Sequence, residues 1–270
     1  MPLMHEKMFV YPDRIEHIKY GKPIWYGEKR KLDEDKKERI KQSELSNEEI
    51  RKRSLASIWR AKSKIRRIIT NNPQLNKFVT LTFDPKQIKD CHNISVANSW
   101  FKKFKDRFRY YHPGTDYISV VEFQKDVDYY GKVKKFGGAV HYHLLLDLPF
   151  IDINEFASKI WKYGFVKIKK VDHIKNLPGY MTKYLAKGFE PEKLYGKKKY
   201  FKSDNIKMPK QVRAGRAEHF RLEFLTDEKP TYQKTSMSET RGKTEITEFK
   251  LNEEEKRFLK KREWWLEDSL

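Results

Sequence analysis

His141-Tyr142-His143 sits inside the apolar run from Ala139 to Leu146. Successive side chains of a β-strand alternate faces, so both imidazoles would project from one face with Tyr142 opposed. Two neutral imidazoles side by side supply half of a divalent-metal site. A third ligand must come from a neighbouring element. Glu122 leads, because a carboxylate set between Val121 and Phe123 needs a compensating partner, and a cation provides one. Gln124 and Asp147 share the relevant faces and remain alternatives. Two imidazoles and a carboxylate leave positions open for a phosphate oxygen on an octahedral ion, which suits Mg²⁺ or Mn²⁺ acting as a Lewis acid.

Tyr180-Met181-Thr182-Lys183-Tyr184-Leu185-Ala186-Lys187 offers a nucleophile to go with such an ion. Spacings of three and four put Tyr180, Lys183, Tyr184 and Lys187 within an arc of about 100° on a helix. A phenol, with a pKa near 10, attacks poorly at neutral pH unless its developing charge is stabilised. Lysines one turn away, with a metal on the phosphate, provide that stabilisation.

These groups need a scaffold, and its elements follow along the chain. Ser46-Asn47-Glu48-Glu49 predicts a helix start, an N-cap followed by acids. That helix runs to about Thr70 with Leu55, Ile58, Trp59, Ile65 and Ile69 expected to be buried, and Asn71-Asn72-Pro73 ends it. Its Arg60, Arg66 and Arg67 lie just upstream of the candidate core and are expected to meet phosphate. Phe78 to Phe83, rich in β-branched and aromatic residues, predicts a strand. A helix follows from about Val96 to Tyr110, with Trp100, Phe101, Phe104 and Phe108 on one face. Tyr117 to Phe123 predicts a second strand, joined to the histidine strand by a long hairpin connection over 124–138. Then come a helix over 153–163, a strand over 165–171 and a helix over 177–187. The order β-α-β-β-α-β-α predicts an α+β, ferredoxin-like antiparallel sheet with flanking helices. A last amphipathic helix is expected over 253–266, packing through Phe258, Leu259, Trp264 and Trp265.

Composition points to the partner. The 270 residues carry 59 Lys+Arg against 38 Asp+Glu, a formal charge of +21, with a pI near 9.7 and a mean hydropathy of -0.89. Such an excess favours polyanions. No apolar run long enough to span a bilayer and no signal peptide is legible, so a cytoplasmic location away from membranes is expected. The sole cysteine, Cys91, excludes an intramolecular disulfide framework and a Cys-based zinc cluster. Gly242-Lys243-Thr244 is not a phosphate-binding loop, because Met237 stands where that motif needs a glycine.

In combination, these motifs resemble the HUH endonucleases, specifically the rolling-circle replication initiators of small phages and plasmids. Phe78-Val79-Thr80-Leu81-Thr82-Phe83 is similar to the family's first motif, His141-Tyr142-His143 to its metal-binding motif, and Tyr180 to Lys187 to the two-tyrosine form of its third. The resemblance covers about residues 52 to 210. It implies a five-stranded antiparallel sheet of ferredoxin/RRM-like type, metal held by His141, His143 and Glu122, and tyrosine nucleophiles at Tyr180 and Tyr184 assisted by Lys183 and Lys187. DNA contacts are expected at Thr80, Thr82, Arg60, Arg66 and Arg67. The implied domains are a charged N-terminal extension over 1–50, the endonuclease over 51–215, and a basic, charged C-terminal extension with its terminal helix over 216–270. The implied activity is metal-dependent nicking and rejoining of single-stranded DNA at a replication origin through a 5′-phosphotyrosyl enzyme. Helicase and polymerase would come from the host or replicon. A two-tyrosine transposase, a non-enzymatic single-strand binder and a water-using phosphodiesterase are the alternatives.

Overall fold

The computed structural model describes residues 3–25, 45–124, 127, 130–133, 138–150, 152–185, 191–225, 228–239 and 241–261. The chain divides into two compact units, one over 40–207 and one built from 1–39 together with 208–270.

The unit over 40–207 opens with α1 (Asn47–Asn71) and continues through β3 (Lys77–Thr82), α2 (Ile94–Tyr111), β4 (Tyr117–Phe123) and β5 (Val140–Leu146); β1 (Leu3–Val10) and β2 (Arg14–Trp25) belong to the other unit. Next come α3 (Ile153–Glu155), which continues into a π-helical turn over Phe156–Trp161, then β6 (Val166–Lys170), α4 (Leu177–Tyr184), α5 (Pro191–Leu194) and β7 (Tyr200–Lys202). The strands form one antiparallel sheet of five in the order β6-β3-β5-β4-β7. The first four have the ferredoxin-like arrangement expected, while β7, in a lysine-rich stretch without legible periodicity, adds the fifth strand.

The sheet separates two chemistries by strand alternation. On one face Tyr142 is fully buried, stacks on Phe101 of α2 at 4.1 Å between ring centroids, and donates its hydroxyl to Asn98 Oδ1 at 2.7 Å. Phe101, Phe104, Phe108, Phe156 and Trp161 complete that layer, each such side chain contributing about 1.5–3 kcal/mol by leaving water. The opposite face carries the histidines and is approached by α4, which packs on β4 and on α1.

α1 starts at the expected place, with Ser46 and Glu49 forming a reciprocal capping box. Its buried stripe is Ile50, Ser54, Ile58, Ala61, Ile65, Ile68 and Ile69. Trp59 was expected in that stripe but is 66% exposed, and Leu55 is only half-buried. Each lies one residue of helical rotation off the stripe, where position overrules hydrophobicity. Trp100 is likewise half-buried, packing on Tyr163 at 4.7 Å. The expected helix over 153–163 widens after one turn and ends at Lys162, which has φ +67°. Arg107 closes this end by donating to the carbonyls of Ile160 and Trp161 at 2.8 and 2.9 Å.

In the other unit, the stretch expected only as a charged N-terminal extension holds regular strands over 3–25. Residues 3–25 form β1 (Leu3–Val10) and β2 (Arg14–Trp25), within a second five-stranded antiparallel sheet of order β8-β1-β2-β10-β9. Its remaining strands are β8 (Lys210–Arg213), β9 (Tyr232–Ser238) and β10 (Gly242–Lys250). Met8, Val10, Ile15, Val212 and Phe249 pack with Ala217 and Phe220 of α6 (Gly215–Phe224) and Leu259 of α7 (Glu253–Lys261). Ile15 packs on one face of β2, with Met8 and Phe249, and Ile18 and Tyr20 on the other, so both faces are covered and no single alternation marks the strand in the sequence. Gly242-Lys243-Thr244 opens β10 and is no phosphate loop. The charged runs over 28–38, and Trp264 and Trp265, lie outside the described residues, as does the side chain of Phe258. Among the described residues no helix is long and apolar enough to cross a membrane.

Candidate metal centre and tyrosine helix

Strand register assembles the site. Glu122 pairs with His141, which pairs with Thr82; one row along the same face, Val120 pairs with His143, which pairs with Thr80. Neighbouring strands lie about 4.8 Å apart, so Glu122 and the two imidazoles converge from adjoining strands. Their ligand atoms all lie within 4.8 Å of one another. All three residues are buried, at 5%, 9% and 4% exposure for Glu122, His141 and His143. Glu122 Oε2 contacts His143 Nε2 directly. A buried carboxylate facing two ring nitrogens, with no thiolate nearby, is a donor set that fits a divalent cation and leaves coordination positions for substrate. Of the alternative third ligands, Gln124 uses its backbone N–H on Ala139 O, and Asp147 follows the far end of β5.

Behind the cluster, Thr80 Oγ1 lies 3.1 Å from His143 Nδ1. A histidine that ligates through Nε2 carries its proton on Nδ1, and a hydroxyl oxygen accepts it. Phe78 stacks against the same imidazole at 5.4 Å.

α4 delivers the tyrosines. Asn176 caps it by accepting from Gly179 N at 2.8 Å, and Pro178 stands in the first turn, where its missing N–H costs nothing. Met181 and Leu185 anchor the helix in the core, while Thr182 donates back to Pro178 O at 2.9 Å. Tyr180 and Tyr184 therefore share a half-buried flank directed at the histidine face. The Tyr184 ring lies 4.0 Å from the His143 ring, and its hydroxyl donates to the Tyr180 hydroxyl at 2.9 Å. Phe78 fills the space below, 5.2 Å from Tyr180 and 5.3 Å from Tyr184. Lys183 Nζ sits 4.1 Å from the Tyr180 ring centre and 5.3 Å from that of Tyr184. Burial, the hydrogen bond to Tyr180 and the Glu122 carboxylate together push the Tyr184 phenol well above its ordinary pKa. A cation at the cluster and the Lys183 ammonium act in the opposite sense.

The fold thus brings together Glu122, His141, His143, Thr80, Thr82, Tyr180, Lys183 and Tyr184. Lys187 lies outside the described residues. Arg60 and Arg66 are exposed on α1 and Arg67 is half-buried there; burial depresses the Lys199 and Lys62 ammonium groups, and the nearby Arg60 and Arg66 respectively add to it. Register also adds residues to the cluster's face that the motifs do not single out: Lys167 and Lys169 on β6, Tyr200 and Lys202 on β7. The alternation Val166-Lys167-Ile168-Lys169 is their signal in the sequence.

Charge is unevenly distributed. The unit over 40–207 holds 35 Lys+Arg against 17 Asp+Glu, so +18 of the formal +21 lies in the unit with the cluster.

No curated protein and no solved structure matches the chain. Residues 76–189, from β3 through α4, match the model of the family described as Replication-associated protein ORF2/G2P. Every residue of the His–His–Glu cluster and both tyrosines fall within that span, so the stretch of this chain that resembles replication-associated proteins is the one that carries its metal-capable site.

Proposed function

We propose that the protein is a rolling-circle DNA replication initiator, which nicks and rejoins single-stranded DNA at an origin through a tyrosine nucleophile. The observation that carries this reading is the Tyr184 ring against His143, 4.0 Å away, which brings a phenol-bearing helix onto a His–His–Glu cluster. The family match to replication-associated proteins supports it.

His141, His143 and Glu122 would hold Mg²⁺ or Mn²⁺, which when bound supplies Lewis-acid polarisation of the scissile phosphate. Tyr180 or Tyr184 attacks phosphorus through its phenol oxygen. The phenol proton passes to solvent as the new P–O bond forms, and the bond from phosphorus to the 3′ oxygen breaks. That oxygen leaves as a 3′-hydroxyl after taking up a proton, and the 5′ phosphate stays on tyrosine. Lys183, over both rings, stabilises the developing phenolate. Because the phosphotyrosyl bond preserves the diester's free energy, rejoining needs no ATP. The second tyrosine can cut the completed copy while the first retains the original end. The reading sets the protein in the cytoplasm, beside a helicase and a polymerase of the host or replicon.

The test is covalent trapping on a 3′-labelled single-stranded oligonucleotide library. An adduct resistant to denaturation should form with Mn²⁺ and vanish with a chelator. Cleavage without attached protein would replace this reading with a water-using phosphodiesterase. Metal-independent binding without any adduct would replace it with a binding module.

A further inference from the structure

Phe165 is 71% exposed, although it immediately precedes β6 in the same unit as the metal-capable cluster. Its position is fixed by the ladder: Thr82 N donates to Phe165 O at 2.9 Å, which extends the β3–β6 pairing by one residue. Val166 packs into the core on the α2 side. Alternation therefore sets Phe165 on the opposite side, with Lys167 and Lys169. The rows across this face read Phe165, Thr82, His141, Glu122 and then Lys167, Thr80, His143, Val120. Two interstrand spacings separate Phe165 from His141, about 10 Å between Cα atoms.

An exposed phenylalanine on an edge strand contributes nothing to the core and stays open to an occupant. Its neighbours say which. Lys167 and Lys169 are exposed on the same face, and the unit's +18 formal charge favours an anionic partner over an acid-free protein surface. An aromatic ring flanked by ammonium groups along an open edge is the arrangement that stacks a base and neutralises its phosphates. We infer that Phe165 and Lys167 form a nucleotide subsite for single-stranded DNA, Phe165 stacking a base next to the phosphate at the cluster and Lys167 neutralising the adjoining phosphate. The inference rests on the DNA-nicking reading and adds to it the residues that hold the flanking strand. Gly164 favours this presentation, since its bare Cα lets the chain press onto the end of β3 before Phe165 emerges.

The test is fluorescence anisotropy with a labelled single-stranded dT oligonucleotide in chelator, which separates strand binding from the metal. Phe165→Ala should weaken binding about thirtyfold, the middle of the range for losing one stacked base, and Phe165→Trp should restore it. Lys167→Ala should flatten the dependence of log affinity on log salt by about 0.7, the value of one single-strand phosphate contact. Mn²⁺ affinity of each variant should equal that of the parent, which shows that the sheet is intact. Equal oligonucleotide affinity for the parent and Phe165→Ala overturns the subsite while leaving the nicking reading in place. No binding by the parent overturns the DNA reading itself. A change in oligomeric state of Phe165→Ala, with strand affinity unchanged, assigns the ring to self-association instead.

Discussion

Thr80 Oγ1 lies 3.1 Å from His143 Nδ1, so a strand residue expected to touch DNA is in contact with the ring that carries the site. The hydroxyl can hold His143 in the tautomer that leaves Nε2 free to ligate. Partners of this kind typically govern metal affinity by 10–100-fold. Thr80→Val, which keeps the shape and removes the oxygen, should therefore weaken Mn²⁺ binding at least about tenfold, and Thr80→Ser should recover most of it. Isothermal titration with the metal alone reads both, without reference to catalysis. Equal affinity in the valine variant would leave Thr80 as a packing residue.

Glu122 is 5% exposed and in contact with His143, so its charge is tolerated because positive or hydrogen-bonding partners face it. Glu122→Gln should change the metal-free melting temperature little, since a buried charge and its desolvation cost leave together. The metal response should change strongly. Mn²⁺ at a hundred times its Kd stabilises the parent by about 2.7 kcal/mol through mass action, and the glutamine variant should lose most of that gain. Differential scanning calorimetry with and without Mn²⁺ provides the comparison.

Most of the unit that holds the cluster is legible in the sequence because its signals are local. H-x-H in an apolar run, β-branched strands and aromatic spacing on α2 each report their own element, and the loop lengths then permit one compact order. Trp59 shows where local reasoning fails: the helix period is right, but one residue of rotation decides between core and solvent. The sheet of the other unit fails for a different reason. Ile15 and Ile18 find their neighbours Phe249 and Ile246 more than two hundred positions away, and no local pattern announces such a partner. The role of Thr80 at His143 is likewise a property of register, visible only after β3 and β5 are paired.

Tyr180 and Tyr184 share a hydrogen bond of 2.9 Å and one lysine, yet it is the Tyr184 ring that lies against His143, at 4.0 Å. The Tyr180→Phe, Tyr184→Phe double variant should abolish the covalent adduct, while retaining Mn²⁺ and oligonucleotide binding. If the tyrosines divide the work, one single variant keeps nicking but loses transfer of a second strand. Gel analysis with a nicked donor and a labelled acceptor distinguishes the two steps. An adduct that persists in the double variant would require another nucleophile.

Gly164 has φ +149°, and a Cβ there would come within 2.2 Å of Thr82 O and 2.4 Å of Asp84 N. Both obstacles are backbone and cannot swing away. Gly164→Ala should destabilise the protein by about 2–3 kcal/mol, measured by urea unfolding. It should also weaken oligonucleotide binding at Phe165, because relieving the clash moves that residue off the end of β3. Undiminished stability would mean that the 163–165 turn can shift without the sheet.

Tyr117 sits on the face of β4 away from the cluster, packed edge-on against Phe108 at 5.9 Å. Burial pushes its phenol up to about 12, from an ordinary value of 10.0. The folded protein thus keeps this proton at pH values where the unfolded chain has released it. The sign follows: the stabilisation is full below pH 10 and is lost as pH rises from about 10 towards 12. Two pKa units correspond to at most about 2.7 kcal/mol, and partial exposure of the hydroxyl reduces this to about 2. The buried Tyr142 phenol, also raised by burial, acts in the same direction. Tyr117→Phe cannot ionise in either state, so its stability should decline less steeply over this interval. Urea midpoints at pH 9, 10 and 11 (roughly one pH step apart) should fall more steeply for the parent than for Tyr117→Phe if Tyr117 carries the effect, and parallel slopes would assign the alkaline loss elsewhere.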